Sequence, residues 1–253
     1  MIKKQFWMLV VGVFLILFVI NYNYLDDLLE RSLTDYEKGI VDRIIDGDTI
    51  KVGNESIRLL GINAPEKGEK GYFEAKEFLE REILGKEVTL YFGEEKYDKY
   101  YRKLAYVYFD KYDICLESVE KGYSNIYFPT KESRESKYFD AYLTGWENCI
   151  KGNEGLCAKS IDKCANCVKV SNLDIKTQQI VLRNFCSFGC SISSWSVKDE
   201  GRKKYVFEKV ILIGKSEIVL DASDFKKDYV WTKSGDSFFV RDSNEGLVSW
   251  GTY

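Results

Sequence analysis

Apolar and polar positions alternate in short runs from residue 40 onward, and that alternation predicts strands at 40–46, 49–52 and 56–60. The last two meet across Gly53-Asn54, a strong hairpin signal. The period changes between Tyr72 and Leu84, where Ala75, Phe78, Leu79 and Ile83 recur at helical spacing and Gly85 supplies the stop. Strand patterns return at 86–92 and 103–109. A short helix is predicted over Leu116–Lys121, ending at Gly122, and a longer one carries Tyr138, Tyr142 and Trp146 at i, i+4 and i+8. Five strands in short hairpins, interrupted by helices, suit a small closed barrel with helices packed outside. Residues 149–170 have no clear period and read as a linker. Beyond them "QQIVLRNF", "SISSWSVKD", "KYVFEKVILI", "SEIVLDAS", "DSFFVRDS" and "GLVSWGTY" are short strands broken by turn residues, the spacing of an all-β sandwich.

The first twenty residues follow neither pattern. Lys3 and Lys4 precede an unbroken apolar run from Phe6 to Ile20, which spans roughly 22 Å as a helix. Tyr22 and Tyr24 extend it into an interfacial belt. A secretory signal is the rival reading, but "FVINYNY" offers no small-residue cleavage site, which favours an uncleaved transmembrane anchor over residues 1–24. Lysines before the run, and Asp26 and Asp27 after it, place the rest of the chain outside the cytoplasm. Residues 25–37 are a polar tether.

Composition narrows the chemistry. The net charge of −3 gives no global basic field to draw in nucleic acid, so any phosphate chemistry rests on local residues. Histidine is absent, which removes the commonest general base, the Ser-His triads and every imidazole zinc site. Of the seven cysteines, Cys115 stands alone, while Cys149, Cys157, Cys164, Cys167, Cys186 and Cys190 cluster. An oxidising exterior favours disulfides among the six, with Cys115 a buried thiol. The spacing of Cys164, Cys167, Cys186 and Cys190 also admits a four-thiolate zinc site.

Three places carry candidate chemistry. "VDRIIDGDTIKV" sets Asp46 and Asp48 two apart. On a strand they share a face and aim two carboxylates at one point; as Asp-Gly-Asp they make a turn. "SIRLLGINAPE" places Arg58 on a strand, then Asn63, Ala64 and Glu66 in a loop bent by Pro65. "YDKYYRKLAYVY" places Arg102 at the start of another strand, with Asp98 and Tyr100 just before it. Without histidine, phosphodiester hydrolysis needs a hard cation, a group to activate water, and cations for the charge that builds on phosphorus. Asp48, Asn63, a backbone carbonyl and Glu66 offer oxygen ligands of the kind Ca²⁺ prefers. Arg58 and Arg102 offer planar donor forks that match phosphate. Each residue taken singly has a dull explanation as a solvated surface charge.

Together, "VDRIIDGDTIKV", "IRLLGINAPE", "GYFEAKEFL", "GKEVTLYF" and "DKYYRKLAYVY" occur in the order and spacing of the thermonuclease, or staphylococcal nuclease-like, family. The resemblance covers about residues 38–150. It implies a five-stranded OB-type barrel with three helices, and Ca²⁺-dependent cleavage of DNA or RNA. By motif, Asp48 resembles the metal-binding aspartate, Asn63 falls where a second metal carboxylate usually sits, and Ala64 lends its carbonyl. Glu66 resembles the carboxylate that orients or activates water, and Arg58 and Arg102 the phosphate-binding arginines. Asp46 and Asp98 are then acidic groups beside the site rather than ligands. Two departures stand out: neutral Asn63, expected to weaken Ca²⁺ until a carboxylate is restored, and Tyr101 where the family usually has glycine.

Residues 175–253 resemble, more loosely, the lamin-tail domain, an immunoglobulin-like sandwich. The carriers are "QQIVLRNF", "SISSWSVKDEGRKKYVF" and "GDSFFVRDSNEGLVSWGTY", with Trp195, Trp231 and Trp250 as core and packing residues rather than a ligand platform. The expected fold is mainly β (α+β): an N-terminal transmembrane helix, a tether, a barrel over 38–150, a cysteine-bearing linker over 151–174 and a sandwich over 175–253. The expected activity is that of a membrane-anchored, extracytoplasmic, Ca²⁺-dependent nuclease whose sandwich has an unknown ligand. A non-catalytic scaffold that holds nucleic acid or a wall component on the same barrel is the alternative.

Overall fold

In the computed structural model the described residues are Trp7, Val11, Gly12 and 36–253. The expected membrane anchor and most of the tether lie outside them. Among the described residues no helix is long and apolar enough to cross a membrane.

β1 (Tyr36–Asp46), β2 (Thr49–Val52) and β3 (Glu55–Leu59) form a meander in which Ile44 faces Ile50 and Ile50 faces Ile57. After the short β4 (Gly61–Asn63) and helix α1 (Tyr72–Ile83) come β5 (Glu87–Tyr97) and β6 (Lys103–Phe109), an antiparallel pair. β6 then runs parallel to β3, with Arg58 opposite Leu104, and that pairing closes a five-stranded barrel in the order β3-β2-β1-β5-β6. Closure removes the exposed edges and buries Val41, Ile50, Ile57, Leu90 and Val107 in one core.

The helices cover that core where the barrel is open. α1 buries Ala75, Phe78, Leu79 and Ile83, the residues its period predicts. Beyond the short β7 (Tyr112–Asp113), α2 (Ile114–Glu120) is capped by the Asp113 carboxylate, which accepts from the Leu116 amide. β8 (Asn125–Tyr127) pairs antiparallel with β4, so that Asn63 faces Asn125. α3 (Lys131–Glu135) and α4 (Lys137–Gly152) follow, and α4 buries Tyr142 and Trp146. Gly61 sits at φ +77°, and a β-carbon there would come within 2.5 Å of the Tyr142 ring. Glycine is therefore what allows β4 to pass beneath α4.

The cysteine-bearing segment differs from a featureless linker. Two 3₁₀ turns (Gly155–Cys157 and Lys163–Asn166) lead directly into β9 (Val168–Asp174). Its apolar residues, Val168, Val170 and Leu173, lose their alternation after Val170 and do not register as a strand pattern. β9 pairs with β10 (Gln179–Asn184), and β10 with β15 (Glu217–Leu220). Facing this sheet are β12 (Ser196–Lys198), β13 (Lys204–Val206), β16 (Ser237–Arg241) and β17 (Leu247–Thr252), in the order β13-β12-β16-β17. β11 (Cys190–Ser191) and β14 (Ile211–Leu212) make a short pair beside them. Trp195 and Trp231 are buried in the core that these strands enclose.

The cysteines pair as Cys149–Cys157, Cys164–Cys190 and Cys167–Cys186, and Cys115 is free and buried. The pairing consumes the four thiolates that a zinc site would need.

Candidate active site

Asp46 and Asp48 do not share a strand face. β1 ends at Asp46, and Gly47-Asp48 turn the chain into β2. Local hydrogen bonding decides between the two readings: the Asp46 carboxylate accepts from the Asp48 amide at 3.1 Å, an Asx-type turn that competes with strand continuation. Gly47 lets that turn lie against the fold. A β-carbon on it would meet the β-carbons of Ala75 at 2.5 Å and Ala64 at 2.7 Å. The turn is thus wedged between α1 and the 63–66 loop, and Asp48 is buried with only 4% exposure.

Burial obliges the Asp48 carboxylate to be partnered. One oxygen receives the Ala64 amide at 3.1 Å and the Arg58 guanidinium at 3.2 Å; the other receives the Thr49 hydroxyl at 3.0 Å. Arg58 also lies 5.8 Å from the centroid of the Tyr127 ring. Thr49 in turn accepts from Arg102 Nη1 at 3.4 Å. Arg102 holds Asp98 with Nε and Nη2, both at 2.7 Å. Asp98 further accepts the Tyr100 amide at 2.8 Å and the Arg102 amide at 3.0 Å, which folds the loop before β6. Burial pushes the Asp98 carboxyl up, but the hydrogen bonds from Arg102 and Tyr100 outweigh it and hold it below its ordinary value. Asp46 goes the other way, raised first by burial and then by the charge of Asp48.

Asp48, Arg58, Arg102 and the loop bearing Asn63, Ala64 and Glu66 therefore meet in one connected network. Asn63 is buried, and its amide nitrogen donates to the carbonyls of Gly201 at 2.8 Å and Glu200 at 3.1 Å. Glu66 pairs with Arg202 at 2.6 Å. Sequence reading missed Thr49, Tyr127 and this stretch around 200. Thr49 follows Asp48 directly and was within reach of sequence reasoning. Nothing in "KDEGRKK" signals a contact with residues more than 130 positions earlier.

No group of three or more His, Cys, Asp or Glu among the described residues is placed to hold a metal ion. The oxygen donors that the resemblance assigns to a cation are the Asp48 carboxylate, the Asn63 side-chain oxygen and the Ala64 carbonyl. All are hard donors with a single formal charge, which fits Ca²⁺ in kind better than a transition metal.

Residues 56–153 match the family described as "Staphylococcal nuclease homologue". Among curated proteins, the chain is 35% identical over 123 residues to an uncharacterized endonuclease of Haemophilus influenzae, covering 47% of this chain and 65% of that protein. It is 28% identical over 132 residues to the thermonuclease of Staphylococcus intermedius, covering 47% and 79% respectively. It is 30% identical over 142 residues to endonuclease YhcR of Bacillus subtilis, covering 47% and 11%. The chain thus spans just under two thirds of the Haemophilus protein, and more than half of its own length lies outside each match. Residues 56–153 are thus similar to the staphylococcal nuclease homologues.

Proposed function

We propose that the chain hydrolyses phosphodiester bonds of DNA or RNA, using Arg58, Glu66 and Arg102 with a Ca²⁺ ion at Asp48, Asn63 and Ala64. The observation that carries the reading is the network from Arg58 through Asp48 and Thr49 to Arg102, which sets two guanidinium groups beside one buried carboxylate. The barrel explains how they meet: Arg58 is held by β3, Arg102 by the loop entering β6, and β3 and β6 are paired.

When bound, the cation would polarise a phosphate oxygen. Arg58 and Arg102 would donate to the remaining phosphate oxygens as negative charge builds in the transition state. Glu66 is half-exposed and would orient the attacking water and take its proton. Asp98 keeps the Arg102 fork in one plane until a phosphate competes for it.

The test is hydrolysis of single-stranded DNA and of RNA by the purified chain, with Ca²⁺ and with chelator. Arg102→Ala should lower the rate at least ~100-fold, as removal of a transition-state donor commonly does. Equal inertness of wild type and Arg102→Ala across several divalent ions would favour the scaffold reading.

We also propose that residues 1–24 anchor the chain in a membrane with the rest outside the cytoplasm. The apolar run behind Lys3 and Lys4 supports this, as do three disulfides, which persist in oxidising compartments. The sandwich over 168–252 supports reading the C-terminal region as lamin-tail-like.

A further inference from the structure

We infer that the Asp199–Lys203 loop of the C-terminal sandwich is a working part of the nuclease site, with Arg202 as the positioning residue for Glu66 and Asn63 as the seat of the loop. The inference rests on the hydrolase reading above and adds to the site a residue from outside the matched domain.

Asn63 gives the first argument. Its amide nitrogen donates to two backbone carbonyls, Glu200 O and Gly201 O. A carboxylate in its place would set negative oxygen against both carbonyls with no proton to share, and inside a buried contact that is costly. The neutral residue at this position is therefore explained by the loop it receives. Restoring the carboxylate should disturb the loop before it tightens any cation.

The second argument is rigidity. Glu200 anchors the loop to the barrel side: its carboxylate accepts the Phe128 amide at 3.1 Å and pairs with Arg134 at 2.5 Å. The Ser237 hydroxyl donates to it at 3.1 Å. Asp199 and Lys203 close the loop, the Lys203 amide donating to the Asp199 carboxylate at 2.8 Å and the Asp199 amide to the Lys203 carbonyl at 3.0 Å. Arg202 projects from this fixed turn to Glu66 at 2.6 Å. Phe239 and Leu247 of the sandwich lie in the same core as the barrel residues, so the loop cannot drift away as a tethered lid would. Glu66 and Arg202 are each about half exposed, so the pair borders the site without sealing it. A guanidinium on a fixed backbone then restricts the rotamers of the carboxylate that must aim at water.

The test uses the full chain and three variants. In Arg202→Ala, kcat on single-stranded DNA should fall about 10-fold with KM little changed and the melting temperature unaltered, and Arg202→Lys should recover most of the loss. In Asn63→Asp, trypsin should cut after Arg202 and Lys203 about 10-fold faster than in wild type, at a temperature where both proteins are folded by circular dichroism. An increase of activity in Arg202→Ala would make the loop an inhibitory cover and overturn the inference. So would an active enzyme indifferent to Arg202, or unchanged cleavage in Asn63→Asp. Inertness of the wild type on every substrate would sink the hydrolase reading and the role of Arg202 with it, while proteolysis would still decide whether Asn63 seats the loop.

Discussion

Tyr101 carries a backbone φ of +60° in the loop that delivers Arg102, and its side chain is 89% exposed. A left-handed conformation costs a residue with a β-carbon about 1 kcal/mol or more. The glycine usual at this position in the family would adopt it freely, at the expense of more freedom in the unfolded chain. Tyr101→Gly should therefore raise the melting temperature slightly, by a net effect of under ~1 kcal/mol. A clear loss of stability on denaturant titration would mean that the exposed ring makes contacts worth more than the strain. A second residue-scale prediction concerns Asp236, whose carboxyl is raised from 3.8 to about 6, first by burial and then by the charge of Asp199. The folded chain binds this proton more tightly than the unfolded chain does. Its contribution to stability is therefore full below about pH 4 and lost as pH rises through about 6. The stability of wild type relative to Asp236→Asn should fall between pH 4 and pH 7. Glu200, which burial pushes up against the pull of Arg134, is raised further by the charge of Asp236, so its response to the substitution has the same sign. A flat difference across that range would refute the shift.

At the scale of elements, the disulfides tie the segment that has least regular structure. Cys149–Cys157 fastens the end of α4 to the first 3₁₀ turn, while Cys164–Cys190 and Cys167–Cys186 fasten the second turn and the start of β9 beside β11. Native protein should show no alkylation. Denatured but unreduced protein should show one reactive thiol, Cys115, which burial shields and whose ionisation burial suppresses. Removing one bridge should cost roughly 2–4 kcal/mol. Two or more thiols in the unreduced, denatured protein would break the assignment. These elements also show what the sequence makes legible. α1 and α4 follow from apolar spacing alone, because one face of each lies on a single core. Strands β1 to β3, β5 and β6 follow from alternation bounded by turn residues. β9 was hidden because its apolar alternation breaks after Val170, where the pairing with β10 shifts register, and β4 and β8 because three residues are too few to show a period. Asp48, Arg58 and Arg102, which the structure joins in one network, are picked out by the resemblance of their motifs to the thermonuclease family and not by spacing alone. The partners of Asn63 and Glu66 are not, since a polar turn at 199–203 reads the same whether water or a second module covers it.

At the scale of the molecule, the sequence predicts a barrel over 38–150, a cysteine-bearing linker and a sandwich over 175–253, and Lys38–Tyr253 pack as one compact unit. The reason is the two-residue period of β16 and β17. Val240 and Val248 face the sandwich core, while their neighbours Phe239 and Leu247 face the barrel core. Trp146 of α4 meets Phe239 at 5.4 Å and Trp250 at 6.2 Å between ring centroids, both nearly edge-on. Arg241 is buried at the same seam, its guanidinium donating to the carbonyls of Leu156 at 2.7 Å and Glu245 at 3.2 Å and to the side chain of Asn125 at 3.3 Å. A β16–β17 ribbon buried on both faces cannot be exposed by either half without loss to the other. Residues 38–253 should accordingly unfold in one calorimetric transition, with the calorimetric enthalpy equal to the van't Hoff value. Trp146→Ala removes a side chain from the barrel helix, yet it should lower protection from hydrogen exchange in β16 and β17 together with the barrel strands, at a cost of about 3–5 kcal/mol. Two separated transitions, or a loss of protection confined to the barrel, would show that the modules fold independently and that the Arg202–Glu66 contact joins two bodies free to part.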